Sequence, residues 1–549
     1  MIKKILLINM PNTVINDYDK ARYSLDRQSI SNAPYGLLSI ISYVRKNSRR
    51  SAEIRLLDLN SALYRAYRSG KTNPPNDIRD AIVTELSAFS PDIVGVSIMF
   101  NVNYLYLPLV SAQVKKFDRA IQVIAGGNLA TSMYEKLLED ENIDAVCYGE
   151  GEIPLTQIAD SISPANTAIS NHPSFFTSTK LQSENCFQPV NSMVMNLDTL
   201  PPINFDLLDL ASYKGPMLRF FQRRKSCTES CKEDTSLKTL VIYTTRGCPY
   251  KCCFCACHVV HGKKIRMMSV EKVISDVHFM IDRYGINSLM INDDNFLLDK
   301  NRAIKILQHL IEMKMTVNFP SLLIRNIDDE IAALLSQVGV TNQLVSIESG
   351  SEYVLKHIIQ KPLKIKEISR AVESLRRYGI NVDTNVVTGF PGETDAHRQE
   401  TLETIKGVGF NWSHFLIVLP VPGTSLYNEC KEKNYLVDDE NFFSPNLADC
   451  NISTPDYDSE HIQFQAYFMN LYANFIHNYH LSIGDYDTCI DNFSHVLQEV
   501  PGHAFAYYGL MRAYEGKSDC STADYYHEKF KHAIREPYWS KYWNCFDIN

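Results

Sequence analysis

Residues 243–258 read Tyr-Thr-Thr-Arg-Gly-Cys-Pro-Tyr-Lys-Cys-Cys-Phe-Cys-Ala-Cys-His, and this is the densest concentration of reactive side chains in the chain. Cys248, Cys252 and Cys255 stand in the spacing C-x3-C-x2-C, directly after the apolar run 239–243, which predicts a buried strand. Three thiolates so spaced can hold three irons of a four-iron cluster and leave the fourth iron open to a substrate or cofactor. The same loop offers a second chemistry, a structural zinc site drawing on Cys248, Cys252, Cys255 or Cys257 with His258, and a third in which the thiols are simply buried. Structural zinc usually takes its ligands as two separated pairs, and no second C-x2-C pair follows. Cys253 and Cys257 fall outside the triad and read as bystanders. Cys227 and Cys231 lie in a charged, serine-containing stretch, 223–234, which reads as a loop with incidental cysteines.

Further candidates stand at the ends of apolar runs. Asp293 and Asp294 close the run 288–291, Arg325 closes 322–324, and Glu348 and Ser349 follow Val345-Ser346-Ile347. Val387 and Gly389 lie in Thr384-Asn385-Val386-Val387-Thr388-Gly389-Phe390-Pro391-Gly392-Glu393-Thr394. Side chains at the carboxyl ends of barrel strands point at the site, and a glutamate on a buried strand is costly without a partner.

The elements that must carry these residues alternate strand and helix from about 236 to 435, including a helix over 270–284 that opens on Ser269 as N-cap. Residues 1 to about 160 alternate in the same way, with strands over 4–9, 53–57, 93–97, 122–125 and 145–148 and helices over 37–46, 79–89 and 105–117. That is the pattern of a doubly wound parallel sheet, whose ligands bind at the carboxyl ends of the strands. Turn residues sit at those ends: Pro11, Ser97, Gly126-Gly127 and Gly149-Glu150-Gly151-Glu152. Residues 161–235 lose the periodicity and read as a linker. Residues 436–549 are helical, with aromatic-rich stretches at 462–479, 504–514 and 523–534 that resemble tetratricopeptide helix pairs or form a plain helical cap. Their aromatics Tyr507, Tyr508, Tyr525 and Trp539 read as core.

Composition bounds the function. At 549 residues, 45% hydrophobic and 21% charged, the chain is an ordinary globular protein of several domains. A net charge of −8 with dispersed Lys and Arg indicates no large nucleic-acid face. The apolar run at 5–8 is too short for a signal peptide and predicts a first strand, and no segment is long enough to span a bilayer. The fourteen cysteines cluster without a disulfide rhythm, which suits a reducing, cytoplasmic setting.

The C-x3-C-x2-C triad, with Phe254 just before its third cysteine, resembles the signature of the radical S-adenosylmethionine (SAM) enzymes. In that family the open iron chelates SAM, and one electron from the cluster splits it into methionine and a 5′-deoxyadenosyl radical. The order of the later segments strengthens the likeness: Asp293-Asp294-Asn295-Phe296 resembles the D-D-x-F segment, and Arg325 matches the arginine found at that strand end. Glu348-Ser349-Gly350 resembles the G-x-E-S-G element with Ser346 in place of its glycine, residues 389–394 match G-x-P-G-E-T, and residues 420–427 resemble P-x-P-G-T-x-L-Y. The resemblance implies a partial (β/α)6 barrel and a SAM site including Phe254, Asp294, Arg325, Glu348, Ser349, Val387 and Gly389. Upstream, residues 33–37, 91–97, 124–128 and 144–152 resemble the cobalamin-binding domain that precedes many such cores. This implies corrinoid contacts from Pro34, Gly36, Ser97, Gly126, Gly127, Gly149 and Glu150. The D-x-H-x-x-G motif that supplies a lower cobalt ligand elsewhere is missing, since no histidine precedes His172. The radical SAM branch typically binds the cofactor without that ligand, and residues 98–101 would lie near the lower face.

These resemblances imply a [4Fe-4S] cluster, SAM and cobalamin as cofactors, and radical methylation of an unactivated carbon as the reaction. The alternatives are a cobalamin-dependent radical cyclase or rearrangement catalyst, and a non-catalytic SAM- or corrinoid-binding sensor or adaptor. A methylthiotransferase would need a second cysteine triad near the N-terminus, whereas the first cysteine here is Cys147. An external electron donor such as flavodoxin or ferredoxin is implied, with a small-molecule or peptide substrate and the C-terminal helices as a place for a protein partner.

Overall fold

The computed structural model describes residues 2–15, 33–182, 188–210, 213, 238–437 and 449–546. Cys227 and Cys231 lie outside them. The chain divides into two compact units: 1–220 with 238–296 and 420–446, and 221–237 with 297–419 and 447–549.

The first unit is built on a six-stranded sheet in the order β2-β1-β3-β4-β5-β6, from β1 (Lys4–Asn9), β2 (Glu53–Asp58), β3 (Ile93–Ser97), β4 (Gln122–Gly126), β5 (Ala145–Cys147) and β6 (Phe175–Phe176). Five strands are parallel, and β6 closes the edge antiparallel to β5. The unbroken apolar text of β1 follows from burial on both faces, with Ile5, Leu6 and Ile8 fully buried, as expected where helices cover a parallel sheet. Sequence order reverses between β1 and β3, so the crevice at a topological switch point opens beside their carboxyl ends. Asn103 ties that crevice together: its Nδ2 donates to Pro11 O at 2.7 Å and its Oδ1 accepts from Met99 N and Phe100 N.

The stretch after residue 160 is not structureless: it carries the helices Ala165–Asn171 and Ser178–Gln182 and a short strand. Phe175–Phe176 fell in text without periodicity, yet both rings are buried and join the sheet. A helix over Leu59–Arg68, capped by the Asp58 carboxylate, was not anticipated.

In the same unit β7 (Thr239–Ile242) pairs in parallel with β10 (Ser288–Ile291), and between them β8 (Thr245–Arg246) pairs antiparallel with β9 (Arg266–Met267). The helix Val270–Tyr284 starts at Ser269, whose side chain accepts from Lys272 N, and stops at Gly285 in the left-handed region.

The second unit holds β11 (Thr316–Asn318) and a parallel sheet of β12 (Asn342–Glu348), β13 (Asn381–Thr388) and β14 (Trp412–Ile417). The expected strand over 322–324 is not formed. Leu322 makes one isolated bridge to Val345, and the chain then turns through a short 3-10 segment, Ile324–Asn326. The C-terminal helices Tyr486–Glu499, Ala504–Gly516, Cys520–Ala533 and Pro537–Trp543 pack around Phe475, Phe493, Phe505, Trp539 and Tyr542. Gly509 and Gly516 allow the close approach: a Cβ at Gly509 would lie 2.4 Å from the Phe493 ring, and one at Gly516 2.1 Å from Tyr486. Tyr508 and Trp539 belong to this core as expected, whereas Tyr525 is 57% exposed.

Candidate active site

The cysteine loop is held by the strand end beside it. Asp293, at the end of β10, accepts from Thr244 N, Thr244 Oγ1 and Thr245 N. Asp294 Oδ2 accepts from Gly247 N at 2.8 Å, one residue before Cys248. Gly247 has φ +87°, and a Cβ there would meet Lys264 O at 2.9 Å, so glycine is required where the loop doubles back. Asn295 completes the segment with its Nδ2 3.9 Å from Cys248 Sγ.

Cys248, Cys252 and Cys255 are all half-buried thiols outside any disulfide, and a Cys255 N to Cys252 O bond of 3.1 Å turns the loop. Among the described residues no three His, Cys, Asp or Glu side chains form a group able to hold a single metal ion. Ligands of a cubane each reach a different iron and need no common point. Burial pushes the Cys253 thiol up to about 12. The Cys257 thiol is also driven up, by burial first and then by Asp294, to which it hydrogen-bonds. Cys257, a bystander by spacing, thus lies against the cradle. Asn295 Oδ1 and Thr245 Oγ1 are buried with no hydrogen-bond partner among the described residues. Orphaned polar atoms beside a thiol triad fit a site that receives a ligand with donors of its own.

At the carboxyl edge of the first sheet the structure gathers Ser97, Gly126, Gly127, Gly149 and Glu150 at the ends of β3, β4 and β5. Gly127 has φ +112°, and a Cβ would sit 2.7 Å from Ile98 O, so backbone runs against backbone there. Pro34 and Gly36 open the helix Tyr35–Asn47; Gly36 is exposed, with nothing within 4 Å of a Cβ. Met99 and Phe100, 39% and 55% exposed, leave an apolar surface beside Gly127 that suits a corrin ring. The residues present therefore fit a cobalamin along this edge.

Glu150 and Gly149 have another occupation, which the sequence reading missed. Glu150 is 3% exposed, and its carboxylate takes Arg246 Nη1 at 3.0 Å, Arg266 through both guanidinium nitrogens, His261 Nδ1 at 2.9 Å and Val194 N at 3.2 Å. Glu152 takes Arg246 Nη2 and Ser39 Oγ, each at 2.7 Å. Burial alone would raise the Glu150 pKa, but hydrogen bonds from His261 and Arg266 and the Arg246 charge hold it well below the usual carboxylate range. Gly149, at φ +79°, makes room for Asn191, whose Oδ1 would lie 2.1 Å from a Cβ and whose Nδ2 donates to Val260 O. The Gly-Glu-Gly-Glu segment is thus a buried ionic hub joining the first sheet to Arg246 and Arg266, which frame the cysteine loop. The doubled glutamates were the only visible signal; nothing in the sequence marks those arginines as buried.

In the second unit, Glu348, Val387 and Gly389 lie at the carboxyl ends of paired strands β12 and β13. Glu348 follows a register shift and has φ +68°; it is 7% exposed and bonded to Lys361 Nζ at 2.9 Å. Lys361 is the buried partner that this glutamate requires. Ser349 turns instead onto Thr401 Oγ1 at 3.0 Å. The Gly389 carbonyl accepts from Tyr457 OH at 2.6 Å, and a Cβ there would meet Ile462 at 2.9 Å, so the segment leading into the helix Ser459–Leu471 covers this strand end. Glu393 serves the same turn, accepting from Thr388 Oγ1, Gly389 N and Arg398. Arg325 is half-exposed and lies 3.5 Å from Glu367.

Comparison with known proteins agrees with this layout. Residues 242–405 match the radical SAM superfamily and residues 33–159 the B12 binding domain. An uncharacterized methyltransferase of Pyrococcus horikoshii is 27% identical over 355 residues, covering 64% of this chain and 72% of that protein. The cytidylyl-2-hydroxyethylphosphonate methyltransferase of Streptomyces wedmorensis is 26% identical over 482 residues, 80% of this chain and 84% of that one. Among solved structures, the radical SAM methyltransferase TsrM of Kitasatospora setae, with cobalamin and a [4Fe-4S] cluster bound, superposes with a TM-score of 0.57 at 17% identity, over 80% of this chain and 76% of that one. The cobalamin-dependent radical SAM enzyme OxsB gives 0.57 at 14% identity over 97% and 76%. At these identities the two structures establish the fold.

Proposed function

The chain belongs to the radical SAM enzymes that carry a B12 binding domain, with a [4Fe-4S] cluster, SAM and cobalamin as cofactors, and from that premise we propose that it methylates an unactivated carbon. When bound, the cluster and SAM supply a hydrogen-abstracting radical, and the corrinoid supplies the methyl group. The observation that carries the reading is the buried union of the cysteine loop with the corrinoid-binding sheet through Arg246, Glu150 and Arg266. Two cofactor regions locked into one unit suit a reaction that uses both.

In this reading Cys248, Cys252 and Cys255 hold the cluster, and Asp293 and Asp294 fix their loop. Phe254, Asp294, Arg325, Glu348, Ser349, Val387 and Gly389 are each proposed as SAM contacts, with Lys361 holding the Glu348 carboxylate in place. Pro34, Gly36, Ser97, Gly126 and Gly127 would hold the corrinoid, while Gly149 and Glu150 would anchor the sheet end on which it is received. The proposed functional division is 1–160 for the corrinoid, a linker to 235, a barrel to 435 and helices to 549, with β6 extending the first sheet into the linker. Radical SAM chemistry needs an external reductant, for which a flavodoxin or ferredoxin in a reducing cytoplasm is the expected source; no helix among the described residues is long and apolar enough to cross a membrane. The relatives named as methyltransferases favour methyl transfer over cyclisation.

Anaerobic reconstitution followed by assay of iron, sulfide, bound corrinoid, 5′-deoxyadenosine and methylated product tests the proposal. Cys255→Ala is expected to abolish 5′-deoxyadenosine formation and leave corrinoid binding intact. Cleavage of SAM on a turned-over substrate without methyl transfer would favour the cyclase reading. Zinc in place of iron, or no cleavage at all, would remove the enzyme reading.

A further inference from the structure

We propose that Asn295 tunes the iron–sulfur centre: its side-chain amide donates to the Cys248 sulfur and helps to set the potential at which the cluster takes up its electron. The 3.9 Å separation of Asn295 Nδ2 from Cys248 Sγ is within reach of an N–H···S bond. The side chain is 4% exposed, so water does not compete for the donor. Its placement is enforced by its neighbours, because Asp293 and Asp294 are tied to Thr244, Thr245 and Gly247 on the cysteine loop itself. Asn295 Oδ1 is buried and has no partner among the described residues. An amide that points its donor at sulfur while its oxygen goes unpaired is oriented by that sulfur, since turning it over would press the oxygen lone pairs against an anionic thiolate.

Hydrogen bonds to cluster sulfurs are among the determinants of reduction potential. A donor withdraws electron density from the thiolate and so favours the reduced cluster. Asn292, three residues earlier, provides an internal comparison, for its Nδ2 donates to the Tyr243 hydroxyl. The inference rests on Cys248 being a cluster ligand, and the two fail separately: iron and sulfide content reports the ligand, whereas the midpoint potential reports Asn295.

The test is an EPR-monitored redox titration of the full chain, reconstituted and without substrate. A hydrogen bond of ordinary strength is worth a factor of about five to ten in an equilibrium. The midpoint reads how much stronger this bond is to the reduced cluster than to the oxidised one, so Asn295→Leu is expected to lower the reduced-to-oxidised ratio at fixed poise by up to that factor, a midpoint more negative by up to about 40–60 mV at 59 mV per tenfold. Asn295→Asp matches the size, lacks the donor and adds charge, and is expected to shift at least as far. Asn292→Leu is expected to titrate with the wild type. A wild-type midpoint in Asn295→Leu overturns the proposal, as does an equal shift in Asn292→Leu. If the leucine variant does not fold, an unshifted Asn295→Asp overturns it as well; loss of the cluster from both Asn295 variants would assign the residue a structural role and overturn tuning.

Discussion

Glu150→Gln isolates the charge of the ionic hub while keeping its shape. In the wild type the buried carboxylates of Glu150 and Glu152 balance the guanidiniums of Arg246 and Arg266, all four side chains being at most 10% exposed. The amide keeps one acceptor oxygen but turns an NH2 group toward Arg266 or His261 and leaves one positive charge without its counterpart. Removing one partner of a buried pair costs about 3–5 kcal/mol, because the remaining charge stays desolvated. At about 2 °C per kcal/mol for a large domain, the melting transition of the unit should fall by about 6–10 °C at pH 7.

Acid provides the second arm of the same experiment. The Glu150 pKa is depressed in the fold, so its stabilisation is complete above the ordinary carboxylate value of 4.5 and is lost as pH falls toward the folded value. The gap between wild type and Glu150→Gln should therefore narrow below pH 4.5, by about 1.4 kcal/mol per pH unit. Differential scanning fluorimetry at pH 7 and pH 3.5, with corrinoid uptake followed by absorbance, reads both arms. An unchanged melting temperature at pH 7 together with weakened corrinoid binding would refute the anchor and return Glu150 to direct contact with the cofactor.

Gly127→Ala places a methyl group 2.7 Å from Ile98 O on a backbone at φ +112° and should cost about 1–3 kcal/mol together with retained corrinoid, whereas Gly36→Ala, in open space, should leave the melting temperature unchanged and report only on the cofactor. Lys361→Met leaves the Glu348 carboxylate buried without its cation, an expected loss of about 3–5 kcal/mol and of SAM affinity by calorimetry; retention of both would separate Glu348 from the SAM site. His503, packed among Phe475 and Trp539, has its pKa lowered to about 4 by burial. Between pH 6.5 and 4 the unfolded imidazole takes up a proton that the folded one refuses, so the C-terminal helices should lose stability across that window. His503→Asn, which keeps an N-cap acceptor for Ala506 N, should remove the loss as read by Trp539 and Trp543 fluorescence.

The elements were legible where burial leaves a periodic trace. Of the five parallel strands of the first sheet, β1, β3, β4 and β5 stood out as apolar runs because they are buried, and the edge strand β2 by alternation about Ile54; the cysteine loop stood out because its chemistry depends on spacing. The Phe175–Phe176 strand escaped because two residues cannot display a period, and the strand expected before Arg325 failed because one bridge to Val345 does not extend into a ladder. Among site residues, glycines at turns were found but not their reasons: Gly149 clears space for Asn191, a residue 42 positions away. Arg246, Arg266 and Lys361 were not found at all. A buried cation looks like any surface lysine or arginine until its carboxylate is located, and Glu150 lies 96 and 116 residues from its arginines.

The hub has a consequence for exchanging parts between related chains. A transplanted corrinoid module would arrive with its own acidic pair, and the recipient core would present guanidiniums cut to fit a different one. Chimeras joined in the connector should thus assemble only when the graft extends through Arg266, so that donor acids and donor bases travel together. In this molecule the first sheet and the cysteine loop are tied into one piece by those ion pairs.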